Sequence, residues 1–327
     1  MKKIVISVSL FSIFFILCYL TFVSAEKVLQ PNWQLPKNVR HQDIQYRLVL
    51  ITQEMDTPFW DKVGKGALEE AERQGVSLEV WGSYGNNKED FLKKMEIAIH
   101  SKVDGIIIQG LNTEKFNKLS KIKASFYGIP IITVANDVPM SESLRRTYVG
   151  SDHYKAGRII AKQLISDMGI RGNVILMYDD HKENYQEQRL KGILDVLSNY
   201  SSIEITQAQT LATREQVVTT TREVLNQVPN ADAFISVNAN FVGTLIQEIR
   251  KRSQVEPYYI YSFDDGPDSE SLLLEGKLDG IIGQSPETMG KVSVQLMKEW
   301  LNGESGPLDT HGYFTDIQIL KATDVNE

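Results

Sequence analysis

Amides and carboxylates recur in this 327-residue chain just after short apolar runs, and that recurrence is its clearest chemical signal. Gln53 to Thr57 follow the run 48–51, Asn136 and Asp137 follow 131–134, and Asp179 and Asp180 follow 173–177. Asn238 follows 233–237, Asp264 follows 258–263, and Gln284 follows 280–283. Strand ends favour turn-forming Asn, Asp and Gly, so each position alone has a plain structural explanation. Gathered around one cleft, the same groups would supply the paired donors and acceptors that vicinal hydroxyls need. Phe59 and Trp60 stand just behind the first run. A flat aromatic face covers the C–H face of a sugar ring, and packing at a helix start is the other use of such a pair. The inventory fits a small polyhydroxylated ligand.

Other chemistries find less support. Gly64-Lys65-Gly66 falls inside a helical pattern and lacks the spacing of a phosphate loop. There is no Gly-x-Ser-x-Gly elbow. Asp179-Asp180-His181 and Asp264-Asp265 are acidic clusters that could hold a metal or act as an acid/base pair, although turn formation and hydrogen-bond acceptance are the commoner roles. Five scattered histidines and one cysteine offer no metal-ligand spacing and no disulfide framework. The expectation is a chain without a metal, a cofactor or a catalytic constellation. A net charge of −7 and the absence of a long basic run argue against nucleic acid as a partner.

The elements that must position these groups alternate regularly. Strand-like runs at 48–51, 78–81, 105–108 and 131–134 are separated by helical patterns at 58–74, 88–100 and 114–127. The second half repeats the plan. Strands are expected at 173–177, 203–208, 233–237, 258–263, 280–283 and 314–320, and helices at 153–168, 184–199, 214–227, 241–252, 269–275 and 287–301. Such alternation predicts an α/β fold of two tandem Rossmann-like lobes with parallel sheets. A cleft between two lobes is the natural ligand site.

The N-terminus bears on the compartment. Lys2 and Lys3 precede an uncharged, mostly apolar run over 4–25, which as a helix would measure about 33 Å and span a bilayer. Val23-Ser24-Ala25 has the small-residue pattern of a signal-peptidase site, yet the run exceeds an ordinary signal core. Residues 1–25 are therefore read as a membrane anchor or signal peptide, with the N-terminus cytoplasmic and the rest extracytoplasmic. Cys18 lacks the small residue just before it that a lipid acceptor needs. Residues 26–45, with two prolines and little periodicity, read as an extracytoplasmic linker, which favours an anchored protein.

From about Tyr46 to Lys321 the chain resembles the type I periplasmic sugar-binding proteins, the group of the ribose- and galactose-binding proteins. The likeness rests on Asp56-Thr57-Pro58-Phe59-Trp60, on Val103-Asp104-Gly105 with Gly128-Ile129-Pro130, and on Val149-Gly150-Ser151-Asp152 with Ala156-Gly157. Gln188-Arg189-Leu190-Lys191-Gly192 and Phe263-Asp264 with Gln284-Ser285-Pro286 complete it. The resemblance implies that Phe59 and Trp60 stack on a ligand ring and that Arg189 gives charge-assisted hydrogen bonds to hydroxyls. Asn238, Asp264 and Gln284 would complete the shell, to which the strand-end pattern adds Thr57, Asn136 and Asp137. Two departures stand out. Ala135-Asn136-Asp137 replaces an Asp-Arg pair, and Ala212 stands where an aromatic is expected.

The resemblance also implies a three-segment hinge near Ser151, Gln284 and Tyr313. One lobe would hold 46–151 plus 285–313, and the other 152–284 plus 314–327. A repressor of similar lobes needs a DNA-binding headpiece where this chain has an apolar run. Two functions follow from the likeness. One is a membrane-anchored sugar receptor that signals lobe closure to a partner such as a sensor histidine kinase, which the anchor and linker favour. The other is the substrate-binding protein of an ABC sugar importer, docking on its permease.

Overall fold

The computed structural model describes residues 14–21, 45–85, 87–180, 183–251, 258–266, 268–304 and 306–324. Residues 1–43 and 44–327 form separate units. In the first, the described part is a helix over residues 14–21. The remainder of the apolar run 4–25, and nearly all of the linker, lie outside the described residues. Among the described residues no helix is long and apolar enough to cross a membrane.

The second unit is built from buried strands and capped helices. Arg47–Thr52 (β1) buries five of its six residues, which places it mid-sheet with helices on both faces. The chain then turns at Thr57, whose hydroxyl accepts from the Trp60 N–H, and enters Pro58–Gln74 (α1) with Pro58 in the first turn. Gly75, at φ +67°, closes that helix in the left-handed conformation that glycine adopts without strain. Ser77–Gly82 (β2), Lys88–His100 (α2), Gly105–Gln109 (β3), Glu114–Lys118 (α3), Ile131–Val134 (β4), Met140–Ser143 (α4) and Thr147–Gly150 (β5) follow.

His153–Met168 (α5) opens the second lobe, followed by Gly172–Asp179 (β6), Asn184–Leu197 (α6), Ile203–Thr210 (β7) and Arg214–Gln227 (α7). Ala233–Ser236 (β8), Val242–Arg250 (α8), Tyr259–Phe263 (β9), Ser269–Leu274 (α9) and Gly280–Gly283 (β10) continue it. Pro286–Asn302 (α10), Tyr313–Phe314 (β11) and Gln318–Leu320 (β12) end the chain.

The strand order of one sheet is β11-β5-β4-β3-β1-β2, and of the other β12-β10-β9-β8-β6-β7. Among the described strands every pairing is parallel except β10 with β12. Both sheets thus carry the 2-1-3-4-5 order of doubly wound folds, and the order reverses between β1 and β3 in one and between β6 and β8 in the other. Four apolar cores pack the two faces of the two sheets, one around Leu50 and Val63, one around Ile51 and Phe91, one around Leu176 and Ile193, and one around Met177 and Leu245. The expected pair of α/β lobes is present.

Several elements differ from the sequence reading. Residues 147–150 form an interior strand of four buried residues whose sequence, Thr147-Tyr148-Val149-Gly150, has no aliphatic run and is flanked by polar residues on both sides. The helix expected over 114–127 divides into α3 and a π-helix, Leu119–Ala124. The helix expected over 241–252 begins as a 3-10 turn, Ala239–Phe241. The strand expected over 314–320 is two strands in two different sheets, because the chain crosses between lobes within it.

Each lobe contains one very close helix crossing. A Cβ at Gly66 would lie 2.1 Å from the Glu287 carbonyl, and one at Gly290 would lie 2.1 Å from the Val63 carbonyl, so α1 and α10 meet backbone to backbone. The same arrangement joins α5 and α6, with Gly157 against the Arg189 carbonyl and Gly192 against that of Tyr154, again at 2.1 Å.

Candidate functional site

The two topological switch points face each other across a narrow cleft. On the first lobe, Gln109 at the end of β3 bridges to the end of β1: its Oε1 accepts from the Gln53 N–H at 2.9 Å and from the Thr52 hydroxyl at 3.2 Å. On the second, Asp179 ends β6 and Asn238 follows β8. Gln53, Gln109, Asp179 and Asn238 all line one cavity of about 60 Å³. This is where ligands sit in open α/β sheets, beyond the carboxyl ends of the strands.

Phe59 and Trp60 form its apolar wall. Both are buried at the start of α1, with ring centroids 5.5 Å apart at 84°, so two perpendicular aromatic surfaces meet there. Asn136 faces them from the loop after β4. The second lobe contributes Tyr185 and Gln186 from the first turn of α6, and the Gln186 side chain accepts from the Asp179 N–H at 3.0 Å. The cleft therefore presents aromatic faces on one side, with amides and carboxylates around them.

Arg189 lies behind this surface, fully buried. Its guanidinium donates to Asp265 Oδ1 at 3.3 Å and Oδ2 at 2.9 Å, and to the Val237 carbonyl at 3.2 Å. It also stacks on Phe263 at 3.7 Å and on Tyr185 at 4.8 Å. Asp265, its partner, lines the cleft. His153 completes the back wall. Its Nε2–H donates to the Ala135 carbonyl at 2.9 Å, and its Nδ1 accepts from Arg189 Nε at 3.4 Å, an arrangement that requires the neutral ring. Burial, with the Arg189 charge, holds its pKa down at about 3, in agreement with that tautomer.

Asp264 and Gln284 bond to each other. The Asp264 carboxylate accepts from the Gln284 N–H and from Nε2, both at 2.6 Å, and the Ser151 hydroxyl donates to Gln284 Oε1 at 2.7 Å. These three residues tie together two crossings between the lobes. Asp264 and Gln284 line a cavity on the far side of Phe59 from the inner cleft. Burial, then the charge of Asp265, pushes the Asp264 pKa up to about 7.

The remaining residues singled out in the sequence have local duties. Thr57 caps α1 and donates to the Glu54 carbonyl at 3.1 Å. The Asp137 carboxylate accepts from Arg145 at 2.6 and 2.7 Å and from the Thr133 hydroxyl at 2.6 Å, and it does not line the cleft. The structure thus gathers Phe59, Trp60, Asn136 and Asn238 directly, and Arg189 through Asp265. Thr57, Asp264 and Gln284 border neighbouring cavities.

Sequence reasoning placed Glu54 in the Gln53 to Thr57 loop but passed over Lys88, Gln109, Glu183, Tyr185 and Asn240. Gln109 was accessible by the strand-end rule applied elsewhere, and Tyr185 by its position one turn before Arg189. The others lie in loops and first helical turns, where only the meeting of the lobes reveals them. The Asn240 amide donates to Glu54 Oε1 at 2.9 Å, Lys88 pairs with Glu183 at 3.4 Å, and Glu183 Oε2 accepts from the Asn112 N–H at 2.9 Å, each bond passing from one lobe to the other.

Comparison with known proteins agrees with this architecture. Residues 48–305 match the family model described as the periplasmic binding protein domain. A ribose import binding protein of Bacillus subtilis is 21% identical over 304 residues, covering 93% of this chain and 95% of that protein. A D-allose-binding periplasmic protein of Escherichia coli is 21% identical over 291 residues, covering 85% of this chain and 92% of the relative. Among solved structures, GanP, a glucose-galactose binding protein from Geobacillus stearothermophilus, superposes with a TM-score of 0.78 at 27% identity, covering 86% of this chain and 99% of that one. A chain of the XylFII-LytSN complex gives a TM-score of 0.72 at 25% identity, with coverages of 86% and 99%. The chain belongs to the type I periplasmic sugar-binding protein family.

Proposed function

We propose that this protein is an extracytoplasmic receptor that binds a small sugar, of pentose or hexose size, between its lobes. The observation that carries the reading is the facing of the two switch points, with Phe59 and Trp60 as ring-covering walls amid amides and carboxylates. In this reading the ligand touches both lobes only when they close, so its differential affinity shifts the open–closed equilibrium. The hinge segments pass near Ser151, Gln284 and Tyr313. The bound ligand is held by Phe59, Trp60, Asn136 and Asn238, with Asp265 oriented by Arg189. Asp264 and Gln284 transmit closure through the hinge.

Residues 4–25 would hold the receptor at the membrane, where a sensor histidine kinase reads the closed form. The solved XylFII-LytSN assembly supports a receptor of this fold acting through a second protein. The other reading, a binding protein for an ABC importer, is favoured by the ribose import binding protein among the relatives. Recovery of the mature protein with Glu26 at its N-terminus would remove the anchor and favour import.

The test of sugar binding is a thermal-shift screen of the chain from Glu26 onward against pentoses, hexoses and polyols. A ligand that binds only the folded state raises the melting temperature. A rise with at least one sugar, lost in Asn136→Ala and Asp265→Asn, is the expected result. No rise with any of them would overturn the reading.

A further inference from the structure

The inner cleft is bounded on one side by a pair of side chains rather than by backbone. Glu54 and Asn240, bonded at 2.9 Å across the lobes, line the inner cavity and also a second one of about 250 Å³ beyond it. Asn238 is shared by both as well. A partition made of two side chains from opposing lobes can part. The cavity on the other side of the cleft, about 390 Å³, is shut off by Phe59, whose ring is fixed in the first lobe's core, so it does not extend the ligand's path.

We propose that the cleft takes a ligand of at least two sugar rings, the second seated between Asp56 of the first lobe and Ala212 to Arg214 of the second. The inference rests on the sugar-binding reading and enlarges its ligand from one ring of pentose or hexose size to two. Small-ligand sites enclose roughly 300–1,000 Å³. The inner cavity, about 60 Å³, falls well below that range, and the outer one, about 250 Å³, brings the two together to its lower end.

The chemistry of the outer cavity suits a second ring. Asp56 and Arg214 approach from opposite lobes and offer an acceptor and a donor, and Phe241 and Val217 supply an apolar face. Ala212 is exposed at the edge with only a methyl group, which leaves the space open. Glu54 stands at the junction, where the linkage between rings would pass. Its carboxyl is pushed up to about 7 by burial and by the charge of Asp265. Near neutral pH it can therefore both give and accept a hydrogen bond at that point.

The experiment compares xylose, glucose and galactose with xylobiose, cellobiose and lactose by titration calorimetry, using the chain from Glu26 onward, which contains every strand and core of the two lobes. At least one disaccharide is expected to bind about tenfold or more tightly than its parent monosaccharide. Ala212→Trp fills the outer cavity from an exposed position, so the fold is left intact. It should weaken that disaccharide by at least about tenfold and change the monosaccharide by no more than about twofold. Binding of monosaccharides alone would overturn the inference and leave the sugar reading standing. Equal disaccharide affinity in Ala212→Trp would also overturn it, by placing the second ring elsewhere. Silence of all six probes would overturn the inference, and the wider thermal-shift screen decides the sugar reading separately.

Discussion

Arg145 in the first lobe and Arg189 in the second are both buried, and each meets an aspartate through two nitrogens. Arg145 lies against Asp137, the Val138 carbonyl and the Thr310 carbonyl, and so fastens the loop after β4 to the segment that precedes β11. Arg189 lies against Asp265, the Val237 carbonyl and His153, sandwiched by Phe263 and Tyr185. The first pair holds two parts of the same lobe together. The second stands at the end of the sheet where the order reverses, and its aspartate faces the cleft. The same ion pair serves architecture in one place and, in the proposed function, ligand recognition in the other; Arg189 is further set apart by its aromatic sandwich and by an aspartate that faces the cleft.

Breaking the pairs gives the largest expected effect. Removing one partner of a buried ion pair costs about 3–5 kcal/mol, because the charge left behind is desolvated and uncompensated. Asp137→Ala and Asp265→Ala should both lose stability of this order in urea unfolding. Their ligand responses should separate: the folded Asp137→Ala protein keeps its sugar affinity within about twofold, while Asp265→Ala loses about tenfold or more. Equal retention in both variants would mean that the two arginines have the same role and that the distinction between the lobes is mistaken.

The helix crossings make a finer comparison. Gly157 and Gly192 lie 35 positions apart in one lobe, whereas Gly66 and Gly290 are brought together only after the chain has traversed the other lobe and returned. A methyl group at Gly157 pushes on the Arg189 backbone. At Gly66 it pushes on Glu287, three residues beyond Gln284, where the chain crosses between lobes. Overpacking of this kind costs about 1–3 kcal/mol. Gly157→Ala should weaken ligand binding through a displaced Arg189. Gly66→Ala should leave the static site intact and change the closure equilibrium, visible by small-angle scattering as a shift in the open fraction.

Much of this architecture was legible in the sequence, and the exceptions have physical causes. Long buried runs such as 48–51 and 105–108 announce mid-sheet strands because both faces must be apolar. The strand at 147–150 reads Thr147-Tyr148-Val149-Gly150, without a continuous aliphatic run, and so is not announced, and the division of the last strand depends on a crossing that no local period encodes. In the site, Phe59, Trp60, Asn136 and Asn238 were visible because strand ends and helix starts are local features. Glu54 stood in the loop that the strand-end rule marked, but its bond to Asn240, like those of Lys88 and Glu183, is made between lobes, and a pairing of residues nearly 190 positions apart leaves no local trace. Asp137 and Asp264 show the converse. Each satisfies the strand-end rule, yet the first accepts from Arg145 and the second from Gln284, choices made by packing.

The smallest expected effect concerns protons, and it again contrasts the lobes. Glu54 in the first and Asp264 in the second have folded pKa values raised to about 7, mainly by burial. An unfolded chain would release these protons near about 4. The folded state therefore holds protons that the unfolded state has lost, and the stability these two groups contribute is whole below about pH 4 and gone once pH rises through about 7. Glu70 and Glu248 act in the opposite sense. Their bonds to Arg73 and Arg222 lower their pKa values, so the stability they contribute is present at neutral pH and is lost only as acid is added. The melting temperature should fall between pH 5 and pH 8, and Glu54→Gln and Asp264→Asn should each remove part of the fall. In the proposed function Asp264 acts on the hinge and Glu54 on the cleft itself, so sugar should raise the melting temperature more in Asp264→Asn than in Glu54→Gln. The same rise in both would place Glu54 outside the ligand's reach.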